Sequence, residues 1–149
     1  MTTHHVIETN FIETNKANWN QKTTEHYHSE LYDVKGFLEG KSPLNAIELE
    51  LLGDIKGKKI LHLQCHFGMD SIALSQMGTH VTGVDFSDEA IKHARLLADK
   101  VGVDTKFVCC NILICQSIWM NPLTLCLQVM ALSIGILILT NGALSSVTT

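Results

Sequence analysis

The sequence predicts an α/β fold, the N-terminal half of a doubly wound parallel sheet, preceded by a helical extension. Three observations predict it. Short apolar runs recur at residues 59–64, 80–85 and 105–110, each the length of a strand buried on both faces. The intervals between them, 69–77 and 87–101, have helical periodicity and stop at Gly78 and Gly102. Strand, helix, strand, helix, strand is the βαβαβ unit, whose right-handed crossovers bury the strands and set helices on the sheet faces.

The composition fits one globular domain: 149 residues, 46% hydrophobic and 17% charged. A formal net charge of -4 leaves no basic footprint, so a nucleic acid gripped by its backbone is not an expected partner, whereas a small molecule is. The first ten residues lack a basic stretch followed by an apolar run, so no secretory signal is read and a cytoplasmic address is expected. Five cysteines, at 65, 109, 110, 115 and 126, form neither a Cys-x-x-Cys pair nor a set with histidine that zinc would use. No metal is expected, and the thiols are read as reduced and buried.

In chain order, residues 1–43 are a polar, helix-compatible extension, with Trp19, Tyr27, Leu31, Tyr32 and Phe37 as its anchors. Trp19 and Tyr27 serve either as core contacts or as the lining of a lid over a ligand. His26 and His28 flank Tyr27 without a third ligand nearby, and are read as solvated. The unit spanning 44–112 opens with a helix capped by Ser42, with Pro43 in its first turn and Gly53 as its stop. The first strand runs from 59 to 64, and the turn from Cys65 to Gly68 leads into the next helix. After the strand at 80–85, Ser87 caps a helix with Asp88 and Glu89 in its first turn and Lys100 near its end, as the helix dipole favours.

In doubly wound folds the ligand sits outside the carboxyl ends of the strands, so Gln64 to Gly68, Asp85 with Phe86, and Asn111 are expected to converge on one crevice. The first turn offers backbone N–H groups and a helix N-terminus, and Gly68 permits close approach. Asp85, about twenty residues past the start of that turn, is placed to accept hydrogen bonds from both hydroxyls of a ribose. The Asn111 amide can meet the edge of an adenine, with Phe86 and Ile112 on the faces of the ring. The turn Gln64-Cys65-His66-Phe67-Gly68 has one glycine where a pyrophosphate loop needs three, so pyrophosphate is not the expected ligand. A ligand with ribose and adenine but no phosphate is.

Leu61-His62-Leu63-Gln64-Cys65-His66-Phe67-Gly68 resembles, in frame, the Leu-Asp-Leu-Gly-Cys-Gly-x-Gly first motif of class I S-adenosylmethionine-dependent methyltransferases. It looks most like a variant of that motif in a bacterial subgroup, in which Trp19-Asn20 and Tyr32-Asp33-Val34 also have counterparts. The resemblance covers residues 19–112 and implies a Rossmann-like fold with S-adenosyl-L-methionine as cofactor. It further implies that Gln64, Cys65, His66 and Gly68 hold the methionine part, Asp85 the ribose, and Phe86, Asn111 and Ile112 the adenine. His62 stands where the family usually has an acid, and Asn111 where it often has Asp. The implied activity is methyl transfer to a small-molecule acceptor, with no catalytic base identifiable. A non-catalytic nucleotide-binding or interaction module is the alternative.

The tail, 113–149, carries no charged residue. A membrane anchor at 123–139 is one reading, although a spanning helix needs about twenty apolar residues and this stretch lacks basic or aromatic flanks. Out-of-frame translation is the expected one. Trp119 and Met120 have single codons, so the frame joining each codon's last base to the next codon's first two reads Asp and then Glu across Trp119-Met120-Asn121. With permitted codons elsewhere, that frame can read Tyr-Asp-Leu-Pro-Glu-Tyr-Leu-Asp-Glu-Pro-Phe-Asp-Ile-Val from the position of Leu113, which supplies an acidic loop and a fourth strand. Loss of a single base in a tyrosine codon after Ile112 generates the observed Leu113-Ile114-Cys115. A chain interrupted in this way is expected to be inactive.

Overall fold

A computed structural model describes residues 3–111 and the backbone of three later strands, at 124–130, 133–140 and 143–148; side chains are described from 11 to 111. Ile112 and the start of the tail lie outside the described residues. The elements are α1 (Thr3–Tyr27), α2 (Val34–Leu38), α3 (Ala46–Leu52), β1 (Lys59–Leu63), α4 (Met69–Gln76), β2 (His80–Asp85), α5 (Asp88–Val101), β3 (Lys106–Cys109), β4 (Thr124–Met130), β5 (Ser133–Thr140) and β6 (Ala143–Thr148). The βαβαβ unit is present, with β2 parallel to both β1 and β3.

The sheet order is β3-β2-β1-β4-β5-β6. β4 pairs with β1 in parallel, and β5 and β6 add antiparallel strands. The stretch considered as a membrane anchor therefore forms β4 and most of β5, and no helix among the described residues is long and apolar enough to cross a membrane. Stepping from β1 to β2 to β3 moves in one direction across the sheet, so α4 and α5 cover the same face rather than opposite ones. On that face Ile60 and Val81 pack with Ile72 and Leu74 of α4, with Ile91, Ala94 and Leu97 of α5, and with Phe107. Val34, Phe37, Leu44 and Leu52 join the same cluster, which ties α2 and α3 to the sheet unit. The other face carries the small cluster of Leu61, Leu63 and Val84.

Two local expectations are corrected. The cap of α3 is Asn45, whose side chain accepts from the Glu48 amide while Glu48 reaches back to the Asn45 amide; the Ser42 hydroxyl instead accepts from the Leu44 amide in the preceding turn. The reciprocal box satisfies two free amides at once, which a cap at Ser42 cannot do. Cys65 and Cys109 are free thiols, Cys65 buried and Cys109 exposed, but Cys110 is disulfide-bonded. Pairing depends on distance in the folded chain, which cysteine spacing does not reveal.

Candidate functional site

The turn after β1 is built from left-handed residues. Gln64 has φ 55°, His66 φ 52° and Gly68 φ 76°, the three positions at which the resembled motif has glycine. A side chain in this region costs about 1–2 kcal/mol per residue, so Gln64 and His66 are held there by their surroundings. The Cys65 amide donates to the Val84 carbonyl at 3.0 Å, the His66 amide to Asp85 Oδ2 at 2.9 Å, and the Gly68 amide back to the Cys65 carbonyl at 2.9 Å. Gly68 then caps α4, and the Ile72 amide bonds its carbonyl.

Asp85, at the end of β2, is buried and links this turn to the next. Its Oδ2 accepts from His66 N, and its Oδ1 from Ser87 N at 2.9 Å. Burial pushes its carboxyl above the usual range, and the bonds from Ser87 and His66 pull it back. At β3 the Cys110 amide bonds the Asp85 carbonyl at 2.9 Å, which brings Asn111 beside the end of β2. Gln64, Asp85, Phe86 and Asn111 thus meet at the carboxyl ends of adjacent strands. Phe86 and Asn111 are half-buried, and Gln64 is exposed.

His62 lies beneath the turn rather than on it. It is 2% exposed, its Nδ1 is 2.7 Å from Ser71 Oγ on α4, and its Nε2 is buried without a hydrogen-bond partner. Burial lowers its pKa to about 4, so the ring is neutral at pH 7.

The extension reaches the site. Asn20 Nδ2 donates to Asp88 Oδ1 at 2.7 Å, Ser87 Oγ donates to Asn20 Oδ1 at 2.6 Å, and Lys16 pairs with Asp88 at 3.5 Å. Trp19 stands edge-on to His66, whereas Tyr27 stacks on His93 of α5 and meets the edge of Phe67. His26 is half-buried, which corrects the reading of it as solvated: its Nδ1 lies 3.1 Å from His66 Nε2 and its ring stacks on Tyr32. Only the fold brings residues forty positions apart into this contact. His28 is exposed.

A cavity of about 370 Å³ opens on the α4 side of the turn, lined by Tyr32, Phe37, Lys41, residues 65–68 and Asp70, among others. Asp85, Phe86 and Asn111 do not line it. Asp70 was not singled out from the sequence; the signal available was an acid in the first turn of a helix that follows a glycine. Burial, and then Glu48, raise its pKa to about 6. The neighbouring Tyr32 hydroxyl is pushed up by burial and by Asp70. Lys41 pairs with Asp33 at 2.7 Å at the rim. Among the described residues no group of three or more His, Cys, Asp or Glu could hold a metal ion.

The fold and this turn define the class: a parallel, Rossmann-like βαβαβ unit with a left-handed turn after its first strand. Comparison with known proteins narrows the resemblance to methyltransferases. The ubiquinone biosynthesis O-methyltransferase of Shewanella pealeana is 33% identical over 81 residues, which is 52% of this chain and 34% of that protein. The Bordetella avium protein of the same name is 36% identical over 58 residues, 39% of this chain and 24% of its own. The chain thus spans about a third or less of the curated relatives it matches. Among solved structures, a protein from Pyrococcus horikoshii is 27% identical with a TM-score of 0.45, covering 58% of this chain and 42% of its own. A structure described as converting a disulfide bond into a thioacetal group during echinomycin biosynthesis is 33% identical with a TM-score of 0.43, covering 54% and 31%. No family model matches.

Proposed function

We propose that residues 44–112 are the cofactor-binding half of an S-adenosyl-L-methionine-dependent methyltransferase acting on a small-molecule acceptor. The observation that carries this reading is the left-handed turn at 64, 66 and 68, tied by Asp85 to the end of β2. Adopting left-handed backbone with Gln and His at two of these positions preserves a loop shape that glycine would otherwise supply. The relatives named above support the same reading. In it, Gln64 to Gly68 take the methionine part, Asp85 the ribose, and Phe86, Asn111 and Ile112 the adenine, with Trp19 and Tyr27 in the covering extension. The cofactor supplies a methyl group on a sulfonium, and the protein's contribution is to orient the acceptor in line and exclude water. The absence of a basic footprint supports a small acceptor over nucleic acid, and a cytoplasmic setting accords with this.

Asp85 has free lone pairs beyond its two backbone bonds, and each charge-assisted ribose hydrogen bond contributes about 1.5–3 kcal/mol. Asp85→Ala is therefore expected to weaken S-adenosylmethionine binding at least tenfold by calorimetry on the frame-restored relative, with Asp85→Asn as a control that retains an acceptor for the backbone. Equal affinity in wild type and Asp85→Ala would exclude the ribose role.

The tail after Ile112 is, in this reading, an out-of-frame product, and the chain as it stands transfers no methyl groups. The parallel pairing of β4 with β1 favours a second reading, in which the tail is a working part of the sheet. Resequencing the coding DNA around the Ile112 codon separates the two. An intact frame, with no methyltransferase-like continuation in the shifted one, would leave only the folded tail.

A further inference from the structure

We propose that the contact between His26 and His66 is an acid-sensitive latch that holds α1 closed over the turn at the strand ends and releases it when both rings are positively charged. The geometry supplies the switch. Nδ1 of His26 and Nε2 of His66 face each other at 3.1 Å, so a single hydrogen fits between them. With both rings neutral, one ring donates that hydrogen and the other accepts it. A first proton is tolerated at a nitrogen outside the contact, because the charged ring still donates and the neutral ring still accepts. A second proton places an N–H on each facing nitrogen and two positive charges in the space of one hydrogen bond. The contact then becomes repulsive.

The surroundings offer little to neutralise a doubly charged pair. Tyr32 stacks on His26, Trp19 and Phe67 border His66, and His93 of α5 adds a further titratable ring of the same sign. On α5, Glu89 reaches His93 at 3.9 Å. The carboxylate that touches His66, Asp85, is engaged by its backbone amide, and Asp70 of α4 lies on the cavity side of the turn with a raised pKa. Burial, then His26 and His93, lower the His66 pKa to about 4. A base whose closed-state pKa lies below its free value stabilises the closed state above the free pKa, and loses that contribution as pH falls from 6.5 toward 4. The far hold on α1, where Asn20 and Lys16 meet Ser87 and Asp88, contains no histidine, so release starts at the His26 end. Opening there uncovers His66 and the turn whether or not the bound molecule is S-adenosylmethionine.

The test is hydrogen exchange with mass-spectrometric readout on the full chain, expressed as protection factors between pH 7.5 and 4. Wild type is expected to lose at least tenfold protection in residues 18–27 across this range while α5 keeps its own. His26→Gln, which can accept from a protonated His66 and removes the second charge while leaving His66 buried, is expected to keep residues 18–27 better protected at pH 4 than in wild type. Constant protection of this segment in wild type, or loss of α1 and α5 protection together, would overturn the latch. So would an unchanged pH dependence in His26→Gln.

Discussion

The ring of Phe107 fills the space that a β-carbon on Gly68 would occupy: Cε1 and Cζ both lie 2.6 Å from that position. The same ring lies 2.7 Å from where a β-carbon on Gly83 would stand. These glycines, one in the turn after β1 and one in β2, form a slot for an aromatic side chain of β3. The sequence suggested that Gly68 lets a ligand approach; in the fold, its missing side chain makes room for Phe107 beneath the turn.

Gly68→Ala is expected to be the more damaging of the two glycine substitutions. It combines the left-handed penalty, about 1–2 kcal/mol, with overpacking of about 1–3 kcal/mol. Gly83→Ala carries only the second. Denaturant midpoints should fall in that order, and adding Phe107→Leu to Gly68→Ala should recover part of the loss. No recovery would mean that the ring is not the obstacle.

Asp70 should make stability depend on pH. An acid whose folded pKa is raised from 3.8 to about 6 binds its proton more tightly in the native state, so stability declines as pH rises through that window and stays low above it. A shift of about 2 units corresponds to at most ~3 kcal/mol, reduced by the solvent that the side chain still meets. Asp70→Asn is expected to raise the melting temperature at pH 7 and leave it nearly unchanged at pH 4. An equal change at both pH values would rule out the charge as the cause.

Asn45→Ala should cost about 1 kcal/mol, the usual loss for a side-chain cap, whereas Ser42→Ala should stay within about 0.5 kcal/mol. The reverse order in urea titrations would restore Ser42 as the start of α3.

Ser87 is buried, accepts from the Ala90 amide at 3.1 Å and donates to Asn20 at 2.6 Å. Ser87→Ala therefore removes a cap and an inter-element bond together, with an expected cost of about 2 kcal/mol, at the upper end for caps. Proteolysis within α1 should also quicken. A variant as resistant as wild type would show that Asn20 does not depend on Ser87.

The elements that the sequence determined by itself are those whose signals are local. β2 runs from His80 to Asp85 as read, and α5 lies between its Ser87 cap and its Gly102 stop, because capping bonds and a left-handed glycine are made by residues within a turn of the element they end. The placement of Gln64, Asp85 and Asn111 at neighbouring strand ends followed from topology, since parallel strands joined by helices put their carboxyl ends on one side. The tertiary structure alone decided the rest. Left-handed backbone at Gln64 and His66 contradicts their own preference and is held by amides bonded to Val84 and Asp85 about twenty residues away. The contact of His26 with His66, the slot for Phe107 and the pairing of β4 with β1 join residues far apart in the chain. Such contacts arise from packing distances that no run of neighbouring residues encodes.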